Sequence, residues 1–412
     1  MKKIILSISF LFFVFSSIAQ HDNIVELTPG EAERIFLQQN LELIAEKLNI
    51  SIADAAITQA KLWDNPEFSV SDINVWHNED KQFSVELSQL IQTAGKRGKL
   101  VNMERAAKEI ALAQFKELLR NLKIELRLCV YEMIYLDSYR NVLESQLISL
   151  QKLISASEKQ VHSGNLSKGE LLRLQSELFE LENEYNELLI SWNSQQKSIK
   201  SLLGIDVFST VKIVNNNLVR SAPESISIIS LLDAVSDIRP DIKIHQLQKQ
   251  YFDRSLQYEK SLRVPDFTIS GGYDRFGGVW DNFWGVGISF DLPVFNRNQG
   301  NIKIAKISSE QSGYLTQLQQ QKAHHEIVES YENYKVSYNF HKKIGGNSLL
   351  NELEEMMEIY TRNFLNHNIG IVEYLDFMDA YKKNKETQLS AEKNLCVQFE
   401  ELQYVVGKDL NN

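Results

Sequence analysis

In the stretch Val372–Ala380, VEYLDFMDA, the acids Glu373, Asp376 and Asp379 stand three residues apart. On a helix this spacing lines carboxylates along about two turns, where like charges repel. Such a row serves a catalytic carboxylate pair, a metal site or a solvated helix face. Other candidates fall away on spacing. His324-His325-Glu326 sets adjacent side chains about 100° apart on a helix and lacks the second histidine of a zinc-protease pair. Gly285 and Gly287 lie in an alternating segment, and Phe290 stands where a dinucleotide fingerprint needs its third glycine. No Gly-x-Ser-x-Gly and no phosphate-binding loop occurs. Gly95-Lys96-Arg97-Gly98 offers either an anion site or a basic turn from strand to helix, and the turn fits its flanks better. No catalytic residue, metal site or cofactor is expected, and the chain does not read as an enzyme.

The elements that must position these acids are unusual. The chain has 412 residues, 43% of them apolar and 24% charged, with six prolines. That is a folded composition. Met1-Lys2-Lys3, the apolar run Ile4–Phe15 and Ser17-Ile18-Ala19 read as a signal peptide over residues 1–19. Its removal takes two of 44 basic residues and none of 54 acidic ones, so a chain of formal charge −10 becomes more acidic. Such a chain is a poor nucleic-acid ligand. No later window is long and apolar enough for a spanning helix, so membrane contact would need a β-barrel. Cys129 and Cys396 lie far apart in helical patterns, as buried thiols do; nothing in their spacing argues for a disulfide.

The chain is written twice, at an offset of roughly 200 residues. Asn65–Phe68 (NPEF) recurs as Val264–Phe267 (VPDF), Phe83–Ile91 as Trp284–Leu292, Gly164–Leu172 as His367–Leu375, and Gly204 as Gly407. Each repeat reads as a first helix of about 25 residues stopped by Pro66 or Pro265, two strands, a very long helix, a sharp break and a second long helix. The expected units are residues 20–204, with a hairpin at about 67–92; a linking segment, 205–238; and residues 239–412, with a hairpin at about 266–292. In the first repeat the long helix runs from Arg97 to His162, and Leu136, Leu143 and Leu150, with Leu147 and Ile154, mark a coiled-coil seam. Some 65 residues make a rod of about 100 Å, which needs partner helices along its length. The second rod runs from Asn298 to Asn366, with a kink expected at Gly345-Gly346.

The strands alternate. Phe267, Ile269, Gly271 and Tyr273 oppose Thr268, Ser270, Gly272 and Asp274; Trp284, Val286, Ile288 and Phe290 oppose Gly285, Gly287, Ser289 and Asp291; Phe83, Val85 and Leu87 oppose Ser84, Glu86 and Ser88. Phe68–Trp76 is less regular. Their length suits a tilted crossing of a bilayer, although a half-exposed soluble sheet has the same period. Four strands cannot close a barrel, so either the sheet is soluble or several chains share one barrel.

With the repeat, four passages make the sequence resemble the TolC-like outer-membrane efflux proteins: Leu87–Leu100 (LSQLIQTAGKRGKL), Arg239–Asp241 (RPD), Asp291–Gly300 (DLPVFNRNQG) and Tyr374–Ala380 (YLDFMDA). The resemblance implies a mixed α+β membrane protein. Three copies would build a 12-stranded β-barrel, four strands per chain, continued by a periplasmic α-helical barrel. The homotrimer would sit in outer-membrane lipid as a passive exit channel, coupled by a periplasmic adaptor to an inner-membrane pump. The turns Gly164-Asn165-Leu166-Ser167 and His367-Asn368-Ile369-Gly370 would be the tips where the adaptor docks. Asp376 and Asp379 would ring the constricted mouth, where stacked carboxylates gather cations. The first repeat has Arg173 and Ser176 at the aligned positions, so the acid reads as one-sided. His367 and Val372 stand where some members latch the mouth. The TAGKRGKL passage resembles the heavy-metal branch. Cargo stays open between metal cations, drugs and, in the exit duct of a type I secretion system, proteins. A secreted coiled-coil surface or adhesion protein is the remaining alternative.

Overall fold

The structure, a computed structural model, describes residues 24–73, 82–214, 221–276, 280–346 and 348–410. The expected leader and the last three residues of Phe68–Trp76 lie outside them. The elements run β1 (Ile24–Leu27), α1 (Pro29–Gln39), α2 (Leu41–Lys61), β2 (Glu67–Ile73), β3 (Gln82–Ile91), α3 (Lys96–His162), α4 (Lys168–Leu203) and β4 (Thr210–Ile213). There follow α5 (Ile228–Ile238), α6 (Pro240–Ser261), β5 (Phe267–Arg275), β6 (Asn282–Phe290), α7 (Gln299–Gly345), α8 (Leu349–Leu365) and α9 (Ile371–Val406).

α3 is one uninterrupted helix of 67 residues. Its leucine seam is buried as expected, with Leu143 and Leu150 wholly enclosed. α4 returns along it with its own heptad, Leu174, Leu181 and Leu188, in the same apolar cluster. Each such leucine contributes about 1.5–3 kcal/mol by leaving water, so the hairpin is held along its whole length. The second rod differs from its expectation. It is not kinked but divided into α7 and α8 at Gly345-Gly346, because successive glycines are poor helix formers.

A shorter helix precedes the first helix expected in each repeat: α1 before α2, and α5, in the linking segment, before α6. Asn40 ends α1 and caps α2, accepting from Leu43 N at 2.9 Å and donating to Leu202 O at 3.0 Å. Arg239, before Pro240, makes the corresponding joint between α5 and α6. A glycine closes each joint. Gly204 has φ +65°, and a Cβ there would stand 3.3 Å from Gln39 O. Gly407 has φ +83°, and a Cβ there would stand 3.2 Å from Arg239 Cγ. Both sites need the left-handed backbone and the bare Cα. β1 and β4, a short parallel pair, were not expected from the sequence; they cover the apolar cluster around Phe36, Leu126 and Leu203.

The four longer strands form one antiparallel sheet in the order β2-β3-β5-β6. Register sorts its faces, since residues directly opposite share a face. Phe68–Leu87–Gly271–Val286 and Val70–Val85–Tyr273–Trp284 lie on one. Ser69–Glu86–Gly272–Gly285 and Ser71–Ser84–Asp274–Phe283 lie on the other. The second face is mostly small and polar; its larger apolar members are Ile73, Leu90 and Phe283, whose ring rests against Gly285. Sheet and rods meet at buried Lys96, which pairs with Asp266 at 2.7 Å, while Thr93 donates its N–H to the same carboxylate at 2.7 Å. Gly95 (φ +68°) caps α3 there, so the basic stretch is the strand-to-helix turn.

The Arg-Pro-Asp passage ties the second repeat to the first. Buried Arg239 donates to Asp241 (2.5 Å), Glu326 (2.6 Å) and Val405 O (3.1 Å). Arg120 of α3 donates to Tyr404 O at 2.7 Å and stands 3.6 Å from Asp241. Burial alone would raise the Asp241 carboxyl. Its bonds to Arg239, with the charge of Arg120, outweigh that and hold it below the usual range. A lowered carboxylate pKa stabilises the fold above the unfolded value and ceases to do so as pH falls through the folded one. Arg239→Ala should therefore cost about 3–5 kcal/mol by stranding its partners, read as a lower urea midpoint in detergent. Asp241→Asn should flatten the acid limb of the stability profile below about pH 4. Unchanged midpoints and acid limbs would count against this joint.

Candidate functional site

Both sharp turns of the long helices come together at one end of the molecule. In the first, Gly164 takes φ +78°, and Asn165 and Leu166 both donate to Gln160 O. Ser167 then caps α4 in a reciprocal box with Glu170: Glu170 N donates to Ser167 Oγ (3.2 Å), and Ser167 N to Glu170 Oε2 (3.0 Å). In the second, His367 takes φ +58° without being glycine, and Asn368 donates to Asn363 O. Gly370 precedes α9 and has no side chain to cap it. Leu166 and Ile369 point into one apolar cluster with Leu174, Phe364 and Tyr374, and Gln160 Nε2 donates to Leu365 O across the gap. The two turns are thus one composite surface. They are not equally secured, because Glu373 aligns with Glu170 but has no serine to pair with.

Above the second turn, Tyr374 and Met378 of α9 are buried. Phe364 stacks on Tyr374 at 5.2 Å and Tyr360 on Phe377 at 3.9 Å, which fixes α8 against α9. With that face inward, Asp376 is exposed and Asp379 half-buried. Asp379 accepts from Lys383 at 2.7 Å, one turn along. Val372 is exposed beside the turn.

The acid is not confined to α9. Glu177 of α4 is half-buried, and its carboxyl is raised: burial is the main cause, Glu180 and Asp379 push the same way, and Lys382 opposes them. Lys382 donates to Glu184 at 2.8 Å, tying α9 to α4 at that level. Tyr139 of α3 also donates to Glu184, and burial with that bond pushes the phenol well up. The repeat aligns Asp376 and Asp379 with Arg173 and Ser176, and the acids of α4 stand four positions further on. Glu177 and Glu180 have the same three-residue spacing, in SELFELENE, and are the carboxylates that sequence reading missed.

Among the described residues no group of three or more His, Cys, Asp and Glu side chains is placed to hold a metal ion. His324 and His325 are exposed, and Glu326 is engaged by Arg239. Cys129 and Cys396 are not joined to each other; burial, with Glu125 and Glu132 adding to it, pushes the Cys129 thiol up to about 11, so it stays protonated at neutral pH.

The two turns should respond differently to capping changes. Ser167→Ala should destabilise the first by about 1 kcal/mol, seen as faster amide hydrogen exchange from Leu171 to Leu174. Gly370→Ser should slow exchange at the start of α9 by completing a box with Glu373. Equal and unaltered exchange in both variants would contradict the capping account.

No family model matches the chain. Two curated relatives do. The nickel-cobalt-cadmium resistance protein NccC of Alcaligenes xylosoxydans xylosoxydans is 22% identical over 293 residues, 66% of this chain and 63% of that protein. The cobalt-zinc-cadmium resistance protein CzcC of Cupriavidus metallidurans is 23% identical over 295 residues, 70% and 69% of the two chains. This chain therefore spans somewhat under two thirds of the first relative's length. Among solved structures, the CmeC outer membrane channel of Campylobacter jejuni superposes with a TM-score of 0.78 at 14% identity, covering 92% of this chain and 85% of that one. With more than nine tenths of the chain covered, the chain has the fold of the TolC-like outer-membrane efflux channels.

Proposed function

We propose that this chain is one third of an outer-membrane exit duct, serving a tripartite efflux system that expels metal cations. The observation that carries this reading is the sheet: its four strands are sorted into an apolar and a polar face, yet β2 and β6 are both left as open edges. Val286 is 87% exposed, Trp284 78% and Ile288 70%, too much contiguous apolar surface for water. No described helix is long and apolar enough to cross a membrane. In lipid the edges must close on other chains. Three copies give twelve strands, an even number wide enough for an aqueous lumen. The apolar face then meets lipid, and Ser69, Ser84, Gly272 and Gly285 line a smooth polar bore.

The helices carry matching edges. Leu41, Ile44, Leu48 and Ile52 make an exposed stripe on α2, and Ile304, Ile307 and Leu318 make one on α7. In a closed ring α7 of one copy lies against α2 of the next, continuing the strand order. On this reading residues 20–204 and 239–412 are the two repeats, residues 205–238 link them, and the first 19 residues are the export signal. The composite tips carrying Gly164–Ser167 and His367–Gly370 are the adaptor-docking surface, through which the inner-membrane pump is coupled. Asp376 and Asp379 line the mouth, with Glu177 beside them. The metal-resistance names of NccC and CzcC support cations as cargo. An acidic mouth suits them, because a ring of carboxylates concentrates cations electrostatically.

The test is single-channel recording in planar bilayers. Asp376→Asn with Asp379→Asn should shift the reversal potential toward zero in a salt gradient and weaken block by divalent cations. Adding Glu177→Gln should extend both effects. Assembly should be unaffected, since neither aspartate packs in the core. Wild-type selectivity and block in the triple variant would return these acids to a solvated helix face.

A further inference from the structure

A cleft of about 540 Å³ lies between α3, α7 and α9, at the level where α7 ends. Its place follows from the fold. Tyr334 of α7 is wholly buried with Leu231 and Val235 of α5, and it donates to Ser221 O at 2.6 Å. One turn further along, Tyr338 is only half-buried. Beyond it the rod divides at Gly345-Gly346, and Gly345 forms one wall of the cleft. The volume falls within the range of about 300–1,000 Å³ that small-molecule sites occupy.

The lining is aromatic on two helices and charged at the rim. Tyr131 and Tyr135 come from α3 and Tyr338 from α7, beside the aliphatic Ile134, Leu389 and Leu395. Burial holds the Tyr135 phenol above its ordinary value, so it stays a neutral donor. The Tyr338 hydroxyl has no hydrogen-bond partner among the described residues. Lys393 is already engaged: it pairs with Glu132 at 3.0 Å and stands 4.1 Å from the centre of the Tyr135 ring. That leaves Lys342 on α7, with His341 beside it, and Glu392 on α9. Lys342 and Glu392 are exposed, and neither joins an ion pair among the described residues. The rim therefore offers one cation and one anion, on different helices, that do not neutralise each other. A ligand of single charge would meet attraction at one and repulsion at the other. A ligand carrying both charges satisfies both.

We propose that this cleft binds a small aromatic zwitterion, with its ring among Tyr135 and Tyr338, its carboxylate on Lys342 and its ammonium on Glu392. A bound ring bridges α3 to the last turns of α7 and braces the rod where it divides. The site lies within one chain, so it stands however copies of the chain close on one another. It is also separate from the acids near the turns: Glu392 is 13 residues along α9 from Asp379, about 20 Å.

The full chain, purified in mild detergent, is titrated by calorimetry with three probes that share an indole ring. They are L-tryptophan, tryptamine, which lacks the carboxylate, and indole-3-propionate, which lacks the ammonium. Tryptophan should bind about fivefold more tightly than either analogue, or better. Lys342→Gln should remove its advantage over tryptamine, and Glu392→Gln its advantage over indole-3-propionate. Tyr338→Leu should weaken all three. Both charged positions are exposed, so these two variants should assemble as the parent does. Bound tryptophan should slow amide hydrogen exchange from Tyr338 to Gly346, which locates the ring in the cleft. The site is overturned by the absence of saturable tryptophan binding, by equal affinity for the three probes, or by exchange that slows elsewhere and not there.

Discussion

The arrangement depends on one constraint: a backbone N–H or C=O inside lipid must find a partner in protein. A sheet of four strands with two open edges cannot meet that constraint alone. The same chain carries an apolar sheet face that water does not favour. The proposed closure by identical copies answers both problems at once, and it extends downward. α2 and α7 present exposed apolar stripes, and under the proposal the edges that close the barrel also close a helical tunnel.

The chain then has to keep its sheet and its rods in register over about 100 Å. It does so with a few buried polar joints. Lys96 and Asp266 lock the strand-to-helix passage. Asn40 with Gly204, and Arg239 with Gly407, fold each first helix against the end of the repeat's last helix. Between joints the packing is repetitive leucine, tolerant in detail and strong in sum. The polar groups fix position, and the apolar seam supplies most of the stability. The proposed docking and mouth residues lie where this regularity stops, at the two turns and the acids just above them.

Much of this was legible in the sequence, for physical reasons. Leu136, Leu143 and Leu150 announce α3 because a heptad has few other uses, and the hairpins are visible because alternation survives wherever one face is buried. Duplication exposed the turns, since Gly164 and Gly204 recur in order as His367 and Gly407. What was not legible depended on contacts distant in sequence. β1 and β4 are four residues each and pair across the whole first repeat, leaving no periodic signal. The division of α7 from α8 is a matter of degree, because a glycine pair can kink or break a helix according to what packs around it. Glu177 escaped notice because its nearness to Asp379 depends on how α4 is rotated against α9, and alignment by repeat cannot report that.

The central claim is that one chain supplies a third of a closed barrel. Native mass spectrometry of the protein released from outer membranes in mild detergent tests it most directly. Three chains per particle, dissociating to monomers only on heating, is the result this account predicts. An elongated monomer that stays in solution without detergent would contradict it.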